Sequence, residues 1–184
     1  MAESFKQQFL SAAIETLTRQ KRLAEGAMAQ LREEDFNTPV APGMNPISVI
    51  VKHLAGNMAS RWTDFLTSDG EKSWRDRETE FTHDQLSRAE TMARWEEGWA
   101  CVMGALNSLA EADLSGVVTI RGESHTIARA VLRQIDHYGY HVGQIVSFSR
   151  MLVGEGRWRH LSIPPGQSAA FNASMRYDPD PSGA

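Results

Sequence analysis

The spacing of apolar positions predicts four long helices. Between Ser4 and Glu34, the residues Leu10, Ile14, Leu17, Ala24, Met28 and Leu31 recur at steps of four, three, seven, four and three. This is the repeat of one buried helical stripe, interrupted only by Lys21. The following NTPVAPGMNP reads as a loop, with Asn45 as a helix N-cap and Pro46 at the first helical position. A second helix, expected to run to about Thr67, then places Ile47, Ile50, Val51, Leu54, Met58 and Phe65 on one side. The third stripe is the clearest: Met92, Trp95, Trp99, Val102, Leu106 and Leu109.

Two segments break the helical period. TSDGEKSWRDRETEFTHDQ carries a glycine and dense charge, and it reads as a long surface connection. VVTIRGESHT alternates and turns at Arg121-Gly122, which predicts a short β-hairpin that must pack on the helices to persist. A fourth helix is expected from about Thr126 to a stop at Gly154. The remainder reads as irregular, with a disordered tail over 177–184. The expected architecture is an all-α four-helix bundle, one domain over 1–176, with a long crossover and the hairpin before the fourth helix.

Composition narrows the function. The 184 residues suit one domain, and no apolar run approaches the roughly 20 residues of a membrane-spanning helix. With no secretory-signal pattern at the N-terminus, a cytoplasmic protein without a membrane partner is expected. The formal net charge of −4 argues against a nucleic-acid partner. The single cysteine, Cys101, excludes an intrachain disulfide framework and reads as a small core residue. Phosphate-loop, dinucleotide-fold, nucleophile-elbow and HExxH signatures are absent from the sequence.

The remaining candidate chemistry is histidine. His137 and His141 are four apart, so their rings leave the fourth helix on one face. Gln134, His137, His141 and Gln144 make a polar stripe beside the apolar face, and His53, Asn57, Ser60 and Asp64 make another on the second helix. Facing stripes would bring His53 opposite the pair; three imidazoles with a vacancy are the donor set of a catalytic metal. Solvated helix faces would show the same spacing. His83, His125 and His160 carry no such pattern, and Trp62, Trp95 and Trp99 read as core.

The segments IVKHLAGNMASRWTDFLTSDGEKSW, RDRETEF, TIRGESHT, HYGYHVGQIV and LSIPPGQSAAFN resemble the DinB/YfiT-like superfamily of helical bundles, within an uncharacterised subgroup. The resemblance runs from about Ile47 to Asn172. It implies a commonly dimeric four-helix bundle, with nickel or zinc on residues matching His53, His137 and His141. Characterised relatives include transferases and an isomerase that use low-molecular-weight thiols.

The reading that follows is a metal-dependent enzyme acting on a small molecule, a thiol-dependent transferase or a hydrolase, whose ion activates a thiol or water. A non-catalytic or stress-associated metal-binding homodimer is the alternative, with the ion bracing two helices. Asn57 and Gln144 are candidates for orienting ligands or substrate, and Arg61 for holding a carboxylate. The charged connection is a candidate lid, with Trp74 as its apolar element and Arg75 or Arg77 as anion contacts. Trp95, Trp99 and Met92 or Met103 could serve either core or dimer interface.

Overall fold

The computed structural model describes residues 4–175. They form a mostly helical fold, with α1 at Phe5–Met28, α2 at Ile47–Trp62, α3 at Arg88–Ser108, α4 at Ile127–Val153 and a short α5 at Ser168–Ser174. A two-stranded antiparallel sheet, β1 at Val117–Ile120 and β2 at Glu123–Thr126, precedes α4. The expected tail at 177–184 lies outside the described residues.

Helix ends follow local chemistry. Ser4 and Ser87 start α1 and α3 with capping boxes, in which the serine accepts from the third helical N–H and Gln7 or Glu90 reaches back. Thr126 accepts from Arg129 N–H at the start of α4, and Gly154 ends that helix with φ at 80°. In the hairpin turn, Arg121 and Gly122 both take positive φ, 55° and 75°, the backbone whose twist matches the flanking strands.

Three elements differ from the sequence expectation. The first helix ends at Met28, because Asp35 accepts from the backbone N–H of Arg32 at 2.9 Å and starts a separate 3₁₀ turn at Glu34–Asn37; Leu31 is buried without being helical. The second helix ends at Trp62 rather than near Thr67. Asp64 takes φ 49°, and the resulting turn lays the Phe65 ring against Trp62, with centroids 4.8 Å apart. The C-terminal region also contains a helix, α5, after the Pro164-Pro165-Gly166 turn.

The long helices pack in pairs, α1 along α4 and α2 along α3, around one core. Trp62, Trp95 and Trp99 are buried within it, so the two third-helix tryptophans are core and are not available to an interface. Cys101, expected as core, is partly exposed. α2 is the central element: Ile47, Val51, Leu54 and Met58 are fully buried, and the polar His53, Asn57, Ser60 and Arg61 are buried beside them. No helix among the described residues is long and apolar enough to cross a membrane.

The connection between α2 and α3 is not the solvated loop its composition suggests. Asp69 accepts from the backbone N–H groups of Glu71, Arg121 and Gly122 at 2.7–2.8 Å, and Gly70 N–H donates to Thr119 O at 2.8 Å. These bonds hold the Asp69 carboxyl down at about 2. Ser60 of α2 donates to Gly70 O at 2.8 Å and accepts from Lys72 N–H. The connection is thus pinned between the end of α2 and the hairpin turn, and this anchoring brings residues 75–81 against the buried face of α2.

Candidate metal centre

His53 comes from the middle of α2, and His137 and His141 from successive turns of α4. Their ring centroids lie 5.4, 4.9 and 4.8 Å apart, and three ligand nitrogens, one from each ring, fall within 4.8 Å of one another. The three histidines can hold a metal ion.

One donor pair already has the spacing that a shared ion requires. His53 Nε2 and His137 Nε2 stand 3.3 Å apart. Two nitrogens on one tetrahedral ion, each about 2.0–2.1 Å from it, are separated by roughly 3.3 Å. The outer nitrogens are engaged elsewhere: His53 Nδ1 donates to Glu80 Oε2 at 2.8 Å, and His141 Nδ1 donates to Gln144 Oε1 at 2.8 Å. Donation from Nδ1 leaves the Nε2 lone pair to face the cluster, the arrangement by which carboxylates and amides fix a ligand's tautomer.

Electrostatics keep two rings neutral. Burial, reinforced by His141, His53, Arg61 and Arg75, pushes His137 down to about 3. Burial also takes His141 down to about 4, with the Gln144 bond opposing and His53 adding to the shift. A neutral imidazole is the form that ligates a cation.

Behind His53 is a buried pair that the sequence did not disclose. Burial opposes ionisation of Glu80, but hydrogen bonds from His53 and Arg75 hold its carboxyl below the usual range. Arg75 donates to both Glu80 oxygens, at 2.7 and 2.9 Å, and its side chain is only 3% exposed. Glu80 sits in the 3₁₀ turn Glu78–Phe81, where nothing in the charge run distinguishes it from Glu78. The nearest signal is the adjoining Phe81, whose ring packs on His53 at 4.8 Å.

Gly56 makes room for this arrangement. A Cβ there would lie 2.3 Å from Glu80 Oε1 and 2.9 Å from its Cδ. Gly56→Ala is therefore expected to displace Glu80, despite the roughly 1 kcal/mol that alanine gains in helix propensity. Zinc affinity measured by calorimetry should fall by about tenfold or more, and stability by about 1–3 kcal/mol. Unchanged affinity and melting would show that the carboxylate seat does not depend on this glycine.

The other candidates divide. Asn57 is buried, lines the cavity at the histidines and accepts from Tyr138 OH at 3.2 Å; Tyr138 in turn accepts from Trp62 Nε1 at 2.9 Å. Arg61 is buried in the same wall, and its terminal nitrogens donate to Gly70 O, Ser60 Oγ and Glu71 Oε2. Arg77 lines the cavity and lies over the Phe81 ring at 5.0 Å. Trp74 is not brought to the histidines: it is 60% exposed and lines a separate depression with Lys52, Arg94 and Cys101. The histidines open onto a cavity of about 820 Å³, walled by α2, α4, residues 75–81 and the hairpin turn. That volume accommodates a small organic molecule.

The family model described as a protein of unknown function (DUF1572) matches residues 4–167. The chain belongs to that family. A crystal structure of a conserved protein from Enterococcus faecalis shares the fold, with a TM-score of 0.60 at 20% identity over 84% of this chain and 100% of that one. Comparison with curated proteins yields no match.

Proposed function

We propose that this chain is a metal-dependent enzyme of DinB/YfiT-like four-helix-bundle type, acting on a small molecule with nickel or zinc on His53, His137 and His141. The observation that carries the reading is the convergence of three imidazoles at the wall of a large cavity. A bound ion supplies Lewis acidity, lowering the pKa of a thiol or of water at an open coordination position. Transfer from a low-molecular-weight thiol is the favoured reaction and hydrolysis the alternative.

The chain's own residues do the rest. Glu80 and Gln144 orient His53 and His141 through their Nδ1–H groups. Asn57, fixed by Tyr138, presents its amide to the cavity for a substrate hydrogen bond. An ion that only braced helices would favour a coordination sphere closed by protein; the cavity beside these histidines supports an open one. The cytoplasmic homodimer belongs to the same proposal, and light scattering at several concentrations tests the assembly.

Protein purified without chelators or metal-affinity steps is expected to carry about one divalent ion per chain by elemental analysis. Added zinc should raise the melting temperature of chelated wild type. His141→Ala should weaken zinc binding by at least about a hundredfold and remove that rise. Screens of electrophilic substrates with and without a thiol separate transfer from hydrolysis; activity surviving both thiol removal and chelation would overturn the proposal.

A further inference from the structure

The histidine cavity is lined by five arginines, Arg61, Arg75, Arg77, Arg121 and Arg133, against one carboxylate, Asp136. In a chain of formal charge −4 this is a local concentration of positive charge. The five are not equivalent. Arg75 is committed to Glu80 and Glu71, and the terminal nitrogens of Arg61 are taken as described above. Arg121 gives Nε to Glu71 at 3.1 Å and is half exposed, with no partner for its terminal nitrogens among the described residues. Arg77 lies over the Phe81 ring, and its approach to a carboxylate is the 3.8 Å one to Glu78. Arg133 makes no ion pair among the described residues, and it stands one helical turn before His137. Arg61, 5% exposed, also keeps its Nε–H without a partner.

Arg121 and Arg133 are exposed at the cavity and keep guanidinium N–H groups that no acceptor among the described residues occupies, so these donors are available to an anion that enters it. Their paired N–H groups match the oxygens of a carboxylate or phosphate. We infer that the cavity contains an anion subsite, in which Arg133 and Arg121, supported by Arg77, recognise the carboxylate or phosphate group of a substrate whose reacting end lies at the histidines. The subsite takes its role in substrate recognition from the metal-dependent reading above, while its binding chemistry stands on the arginines. It also reassigns the anion contacts: Arg75, which composition offers equally, is spent on holding Glu80.

The test is calorimetric titration of inorganic phosphate, and in parallel of succinate, into full-length protein at low ionic strength, both zinc-loaded and chelated. At least one of the two anions is expected to bind chelated wild type, and Arg133→Gln to weaken that binding by about tenfold or more while leaving zinc affinity unchanged. Arg121→Gln should weaken it similarly. Arg133 is exposed, so its variant is expected to keep the wild-type melting temperature. The proposal is overturned if neither anion binds up to about 10 mM, or if binding is indifferent to both arginines. Anion binding that requires zinc and ignores Arg133 would place the anion on the ion, ending the subsite and leaving the metal reading intact. Arg133-dependent binding in a protein that takes up no zinc would support the subsite and end the metal reading.

Discussion

Replacing Glu80 with alanine is expected to destabilise the protein by about 3–5 kcal/mol and to weaken zinc binding by about 10- to 100-fold. The two effects share one cause. The Arg75 side chain is 3% exposed and makes two of its three carboxylate contacts to Glu80. Without that carboxylate, a buried guanidinium keeps only Glu71, at 3.5 Å. The coulombic attraction no longer offsets its desolvation. His53 simultaneously loses the acceptor that fixes Nδ1–H, so its ring is free to rotate its lone pair away from the cluster. Glu80→Gln keeps an acceptor without the charge and should fall between wild type and alanine in both measurements. Chemical denaturation and zinc calorimetry check the pair of effects; a Glu80→Ala protein as stable as wild type would refute the buried-pair account.

Chelated protein is expected to lose stability as pH falls from about 7 towards 4, beyond what its carboxylates contribute. His137 and His141 are held at about 3 and about 4 in the folded chain, against an ordinary 6.5 when unfolded. Between those values the unfolded state binds protons that the folded state refuses, so stability falls as pH falls. Above 6.5 neither state is protonated at these rings and the penalty vanishes. The slope is at most about 1.4 kcal/mol per pH unit for each histidine, and partial exposure of both rings reduces it. Denaturation midpoints of wild type and a His137→Gln/His141→Gln double variant, compared in chelator at pH 7, 6 and 5, isolate the histidine share. Parallel lines for the two proteins would exclude it. Saturating zinc should flatten the wild-type curve near neutrality, because protons and the cation compete for the same nitrogens.

Much of the helical framework can be read from spacing alone. The Trp95, Trp99, Val102 and Leu106 stripe is buried, and the Arg121-Gly122 turn adopts the positive φ pair that the residue types favour. Where spacing misleads, a local competitor decides: Asp35 captures the Arg32 N–H and ends the first helix early, and Phe65 satisfies its hydrophobicity by folding back on Trp62. Leu31 and Phe65 therefore keep the stripe's burial preference without its helix, because burial is a property of the side chain while the helix needs its backbone bonds as well.

The histidine site was partly legible for the same reason. His137 and His141 are neighbours on any helix, so their pairing follows from 3.6 residues per turn. Their approach to His53 spans 84 residues of sequence and needs α2 and α4 side by side, which periodicity permits but does not choose. Spacing alone leaves a solvated face as an equal reading there, and the sequence resemblance is what implies a ligand at His53.

By itself, then, the sequence determined which faces are apolar, where the hairpin turns and which two histidines share a face. Those are short-range consequences of backbone geometry and burial. Only the tertiary structure decided that Glu80 and Arg75 leave a charged run for the interior, that Gly56 provides space for the carboxylate, and that Trp74 stays away from the histidines. A charged loop has no period to report which of its residues turns inward. That choice is made by partners brought from distant parts of the chain, because a buried charge persists only where an opposite charge and hydrogen bonds receive it.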